Sequence, residues 1–260
     1  MKYIPKEAIM YEINKRIPSE FFVLREKYLT QILESMPVIK QGFRRDNEVL
    51  RIYSSDKSHY REISNSNRDW KEFHDLFIKR EKIIKMLTSV RSVLKTYPRN
   101  SRHLNAEVIN CDNKYDARYY KGLEDDTCPY ENKTDYYYNG RHYRSRSEMM
   151  IAVILDELGL EFKHDVLIHI GSEVYTVDFV IIFREFNRCI FIEFYGKCYE
   201  PSYNYDNSIK LNAMTNAGIY LGRDLFIYSG DKNYTPGSDV IRSQLISIID
   251  QLVCYHVREK

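Results

Sequence analysis

A mixed central β-sheet flanked by helices, of α/β (α+β) class and preceded by a mainly helical region, is the fold class this sequence predicts. Three observations carry the prediction. From Ser145 onward the apolar pattern runs helix, three strands, helix, strand, helix, an order that suits one sheet covered on both sides. Two nearly apolar runs, Tyr175 to Phe183 and Cys189 to Tyr195, have strand length and are joined by the polar link Arg184 to Arg188. Ahead of them, Asp69 to Tyr97 repeats apolar residues at three- and four-residue steps, the pattern of a long amphipathic helix. The 260 residues thus divide into a basic N-terminal region 1–98, a linker 99–133 and a sheet-bearing domain 134–260.

Taken in order, residues 1–35 mix apolar and charged types, and Phe21, Leu24, Tyr28, Leu29 and Ile32 give roughly helical spacing. Pro37 ends that run. Gly42 to Tyr53 is more extended, with Asp46-Asn47 as a turn signal, so a small hairpin is expected there. In the long helix, Phe73, Phe77, Ile84, Leu87, Val90 and Leu94 make the apolar stripe, and Pro98 is the stop. Its basic outer face, with Lys79, Lys82 and Lys85, is either a solvated surface or a contact for a phosphate backbone. Residues 99–133 lack a sustained period and are rich in turn formers, as expected of a surface linker.

Tyr136 to Tyr143 is expected to form a hairpin, because Asn139-Gly140 tolerates the positive φ angles of a two-residue turn. Aromatics there alternate with Arg141, Arg144 and Arg146, a mixture that either stacks on bases and neutralises phosphates or packs on its neighbours. Ser145 opens a helix that runs to Leu158 and closes at Gly159. Glu148 heads its inward stripe of Ile151, Ala152 and Leu155, so it points to whatever the stripe covers or bonds back to the helix start as part of a Ser-x-x-Glu capping box. Strands follow at His164 to Ile170 and in the two apolar runs, then a helix from Tyr205 to Ala217, a strand from Asp224 to Tyr228 and a closing helix from Asp239 to Val257.

Charge and cysteine content narrow the function classes. The net charge is only +2, but residues 1–100 hold 21 Lys/Arg against 13 Asp/Glu and residues 101–260 hold 18 against 24. A basic front half beside an acidic back half suits an electrostatic arm next to a carboxylate site. The five cysteines form no CxxC pair, Met1 to Lys15 has no signal-peptide pattern, and no apolar run approaches about 18 residues, so a cytoplasmic chain without a membrane partner is expected. Neither a phosphate-cradling GxxxxGK[ST] loop nor GxGxxG occurs, which disfavours nucleotide-driven chemistry.

Each apolar strand run contains one carboxylate, Asp178 and Glu193. Left ionised and unpaired in a sheet interior, such a group costs several kcal/mol, so a compensating cation is expected. A hairpin centred on residue 186 sets Asp178 opposite Phe194, and an offset of one residue brings it beside Glu193.

Ser147-Glu148 on a helix, then Val177-Asp178-Phe179 and Ile192-Glu193-Phe194 on strands, resembles the PD-(D/E)XK nuclease superfamily, whose core is restriction-endonuclease-like. The flanking text from Tyr143 to Phe162 and the helix with Lys210, Met214 and Gly218 are similar to bacterial and phage-borne members with a helical N-terminal extension. The resemblance covers about residues 134–230 well and the N-terminal part loosely. It implies an endonuclease that hydrolyses phosphodiester bonds in nucleic acid, DNA first, with Mg²⁺ as cofactor and Mn²⁺ able to replace it. Glu148, Asp178 and Glu193 would be the metal ligands.

Two departures matter. Val177 stands where the family often has proline, and Tyr195 stands two residues after Glu193, where the family has its lysine. Lys210 on the following helix is the first candidate for a migrated lysine and Lys197 the second, so the catalytic set reads Glu148, Asp178, Glu193 and Lys210. Candidate nucleic-acid contacts are Arg141, Arg144, Arg146, Tyr195 and Lys197. Two alternatives stand beside the enzyme: a catalytically inactive module of the same fold that binds nucleic acid or protein, and an interaction protein whose acids pair with Arg184 or Arg188.

Overall fold

The computed structural model describes residues 16–44, 47–55, 57–98, 106–108, 113–127, 136–231 and 233–259, in a mixed α/β arrangement with several sheets. The chain forms two compact units, Met1–Glu107 with Glu259–Lys260, and Val108–Arg258. No helix among the described residues is long and apolar enough to cross a membrane.

In the first unit, helix α1 (Ser19–Ser35) leads to an antiparallel sheet β1-β2-β3 (Ile39–Arg44, Asn47–Tyr53, Tyr60–Ser64) and then to α2 (Trp70–Leu94). Residues 1–15, expected to be largely helical, and the turn residues 45 and 46 lie outside the described residues. The apolar stripe of α2 is buried at Ile83, Leu87, Val90 and Leu94 and packs against α1, whose Phe21, Leu24 and Leu29 are buried. Arg80 of α2 donates to the carbonyl of Leu33 at 2.9 Å, satisfying one of the orphaned acceptors at the end of α1.

Two short strands, β4 (Ala106–Val108) and β11 (Val257–Glu259), lie where the chain passes from one unit to the other. In the second unit, α3 (Ala117–Gly122) is followed by the hairpin β5/β6 (Tyr137–Tyr138, Arg141–His142) and α4 (Arg146–Glu157). Then come β7 (Glu161–Ile170), β8 (Glu173–Phe183), β9 (Arg188–Tyr195), α5 (Pro201–Asn216), β10 (Leu225–Ser229) and α6 (Ser238–His256). The expected hairpin turn is present, with φ of 49° at Asn139 and 82° at Gly140.

The sheet order is β10-β9-β8-β7, antiparallel from β7 to β9 and parallel between β9 and β10. Val180, Ile182, Cys189 and Phe191 on one face join Met214 of α5 and Tyr120 of α3 in the core. The linker expectation for 99–133 is corrected over 113–127. Asp116 caps α3 by accepting from the amides of Arg118 and Tyr119, and Tyr115 and Tyr120 are buried. A helix of six residues is too short to display an apolar period, so composition alone read as loop.

Candidate functional site

The register between β8 and β9 pairs Phe179 with Ile192 and Val180 with Phe191. One step further along the same register, Asp178 falls opposite Glu193, the one-residue offset that sets the two acids side by side. Side chains alternate across a strand, so both share the face of Val180 and Phe191, which α5 covers. Both are buried, at 8% and 3% exposure, although neither is in an apolar pocket alone. Asp178 Oδ2 accepts from the Phe194 amide at 2.7 Å, and Lys210 reaches down from α5 to place Nζ 2.5 Å from Glu193 Oε1 while donating to the Thr176 carbonyl.

Glu148 both faces the acids and takes part in the start of α4. Ser145 accepts from the Glu148 amide as the N-cap of α4, and its hydroxyl donates to Glu148 Oε1, while the carboxylate reaches back to the Arg144 amide, one residue before the N-cap amide that a capping box would use. The second oxygen, Oε2, accepts from the Arg144 amide and lies 3.2 Å from Nε2 of His164.

His164 and Asp165 on β7 are the residues that sequence reasoning missed. Asp165 has φ of 50°, a left-handed conformation that Asp tolerates better than most residues and that interrupts the pairing of β7 with β8 at the position facing Asp178. Ligand atoms of Glu148, His164 and Asp165 all lie within 4.8 Å of one another. The signal in the sequence is the adjacent polar pair inside the run Phe162 to Ile168, where an apolar strand alone would need neither.

Arg144, expected as a nucleic-acid contact, is placed against the acids as an internal counter-ion. Its Nη2 lies 2.6 Å from Asp165 Oδ1 and 2.9 Å from Asp178 Oδ1. The expected alternative partners of the acids are also corrected: Arg184 pairs with Glu161, and Arg188 pairs with Asp224. Arg141 is taken up by Asp125 and Asp126. Arg146 and Lys197 are exposed and outside the acid cluster. Tyr195 stands beside Glu193 with its hydroxyl buried, and its ring meets Tyr203 of α5 at 6.1 Å.

Four buried carboxylates, Glu148, Asp165, Asp178 and Glu193, therefore face two permanent cations, Arg144 and Lys210. The imbalance is visible in their protonation. Burial, reinforced by Asp178, pushes Glu193 up to about 8 despite Lys210. Burial likewise raises Asp165 to about 6 against the pull of His164 and Arg144, and raises Asp178, whose neighbour Glu148 adds to the effect. For His164, burial lowers the pKa, but the hydrogen bond it donates to Glu148, the charge of Asp165 and the bond to Asp126 outweigh it, so the imidazolium is favoured. The site takes up positive charge wherever it can. A donor set of carboxylate oxygens and one imidazole nitrogen fits a divalent cation by its chemistry, the oxygens suiting Mg²⁺ or Mn²⁺ and the nitrogen tilting the set toward Mn²⁺.

Comparison with family models, with curated proteins and with solved structures finds no match for this chain.

Proposed function

We propose that this protein is a metal-dependent nuclease of the PD-(D/E)XK type, with a restriction-endonuclease-like core, that hydrolyses phosphodiester bonds in nucleic acid, DNA being the expected substrate. The observation that carries this reading is the convergence of Asp178 and Glu193 on neighbouring strands with Lys210, which enters from the next helix and pairs with Glu193 at 2.5 Å. That lysine compensates for Tyr195 at the usual position. Further support comes from Glu148 on the preceding helix and from the order of elements: helix, three antiparallel strands, helix, parallel strand.

Glu148, Asp178 and Glu193 would hold the cation, with Asp165 and His164 beside them. Lewis acidity toward a phosphoryl oxygen and a lowered pKa for water are what a divalent cation supplies when bound there. Lys210 holds a positive charge at Glu193 and orients its carboxylate. Arg144 restrains Asp178 and Asp165.

Arg144 also favours a second reading. Because it already bridges two of the acids, the domain could serve as a catalytically inactive module of the same fold that binds nucleic acid or protein. Incubation of linear and circular DNA with Mn²⁺ or Mg²⁺, beside Asp178→Asn, Glu193→Gln and Lys210→Met variants, separates the two. The nuclease reading expects cleavage by wild type alone. Equal cleavage by all four proteins refutes it, and retained binding without cleavage under either metal supports the second reading.

A further inference from the structure

The sheet of the first unit has two unlike faces. Ile39, Leu50 and Ile63 turn inward and are buried. On the other face the registers align Lys40, Arg51 and Glu62 in one cross-strand row, and Tyr53 with Tyr60 in the next, while Arg44 lies toward the far end of β1. The two tyrosine rings are 5.4 Å apart. Lys40 Nζ lies 5.2 Å from the Tyr53 ring centre, and the Arg51 guanidinium lies 5.6 Å from that of Tyr60. Gly42 lies under the Arg51 guanidinium: a Cβ there would come within 3.3 Å of Arg51 Nη1, and its absence lets the guanidinium lie close along the sheet. Glu62 holds Arg51 at 2.9 Å and Arg44 at 3.4 Å, so among the described residues of this face three cations stand against one acid.

We propose that this face of β1-β2-β3 is a platform for single-stranded nucleic acid, with Lys40, Arg44 and Arg51 toward phosphates and Tyr60 stacked on a base. Charge complementarity selects a polyanion, and Tyr60, 54% exposed, supplies the apolar ring that phosphates alone would not need. Stacking needs an unpaired base, and in a duplex the base faces are covered, so single strands are preferred over duplex. The choice of partner rests on the nucleic-acid reading given above, but the surface lies wholly in the first unit and acts by binding alone.

The test is fluorescence anisotropy of the full chain in EDTA with a labelled oligothymidylate and with a duplex of equal length. Single strands should bind more tightly. Tyr60→Ala should weaken single-strand binding about tenfold, the loss of one stacked base, while Tyr60→Phe stays near wild type. The double variant Lys40→Ala/Arg44→Ala should flatten the plot of log affinity against log salt by about 1.4, roughly 0.7 for each phosphate contact. The control Lys82→Ala/Lys85→Ala, on the exposed side of α2, should leave the preference for single strands in place. Binding by Tyr60→Ala equal to that of wild type overturns the proposal, as does an equal loss in the α2 control. Cleavage is not read, so an inactive enzyme that still binds through Tyr60 upholds this surface, and an active nuclease indifferent to Tyr60→Ala refutes the surface alone.

Discussion

Glu193 makes the metal-free protein less stable as pH rises, and Glu193→Gln should remove its share of that dependence above pH 6. Burial raises its folded pKa from 4.5 to about 8, so between those values the folded chain holds a proton that the unfolded chain has released. The contribution is fully present below 4.5 and is lost as pH rises through about 8. One proton of difference gives a slope of about 1.4 kcal/mol per pH unit, and the whole window has a ceiling of about 5 kcal/mol, lowered by whatever Lys210 shares. Asp165, Asp178 and His164 act with the same sign, Asp165 between 3.8 and about 6, so above pH 6 Glu193 shares the slope with His164 and Asp178. Urea unfolding followed by far-UV circular dichroism from pH 5 to 9 measures it. Trp70, the one tryptophan, lies in α2 of the other unit, and its emission provides an internal reference. A flat wild-type profile, or a slope undiminished in Glu193→Gln, refutes the reasoning.

Arg144→Ala should destabilise the metal-free protein by about 3 kcal/mol, because it leaves Asp165 and Asp178 without their shared cation, and Mn²⁺ should recover part of the loss in a thermal melt. Asp165→Asn should keep the fold, since Asn also tolerates φ of 50°, yet weaken Mn²⁺ binding measured by calorimetry; unchanged affinity would remove Asp165 from the ligand set. Ser145→Ala deletes the N-cap of α4 and should cost about 1 kcal/mol in urea unfolding, with a larger effect on Mn²⁺ affinity than on the fold because Glu148 loses its tether.

Long, strongly patterned elements were readable from residues alone. The stripe of α2, the Asn139-Gly140 turn and the paired apolar runs each carry a periodic or turn signal that survives into the structure. Asp178 and Glu193 stood out because a carboxylate in an apolar strand demands an explanation. His164 and Asp165 do not, because they sit near a strand start, where polar residues are ordinary; only the left-handed φ of Asp165 and the approach of Glu148 make them candidate ligands. The counter-ion role of Arg144 is illegible for a similar reason. Beside tyrosines in a hairpin it looks like a surface cation, and its partners lie 21 and 34 residues further along the chain, a distance no local pattern encodes.

The link between β8 and β9 is a single 3-10 turn, Arg184–Phe186, closed by Asn187 at φ of 51°. Its length, more than its composition, acts as the ruler for the acid pair. Adding or removing one residue there would shift the register by one step and send Asp178 and Glu193 to opposite faces, leaving both carboxylates in the chain but no longer together. The turn should therefore be strictly bounded in residue number, and its exposed Asn187 is constrained as well, by its left-handed φ and by the bond its Oδ1 accepts from the Ala117 amide. A one-residue insertion scan would find the site's most sensitive position several residues from both Asp178 and Glu193.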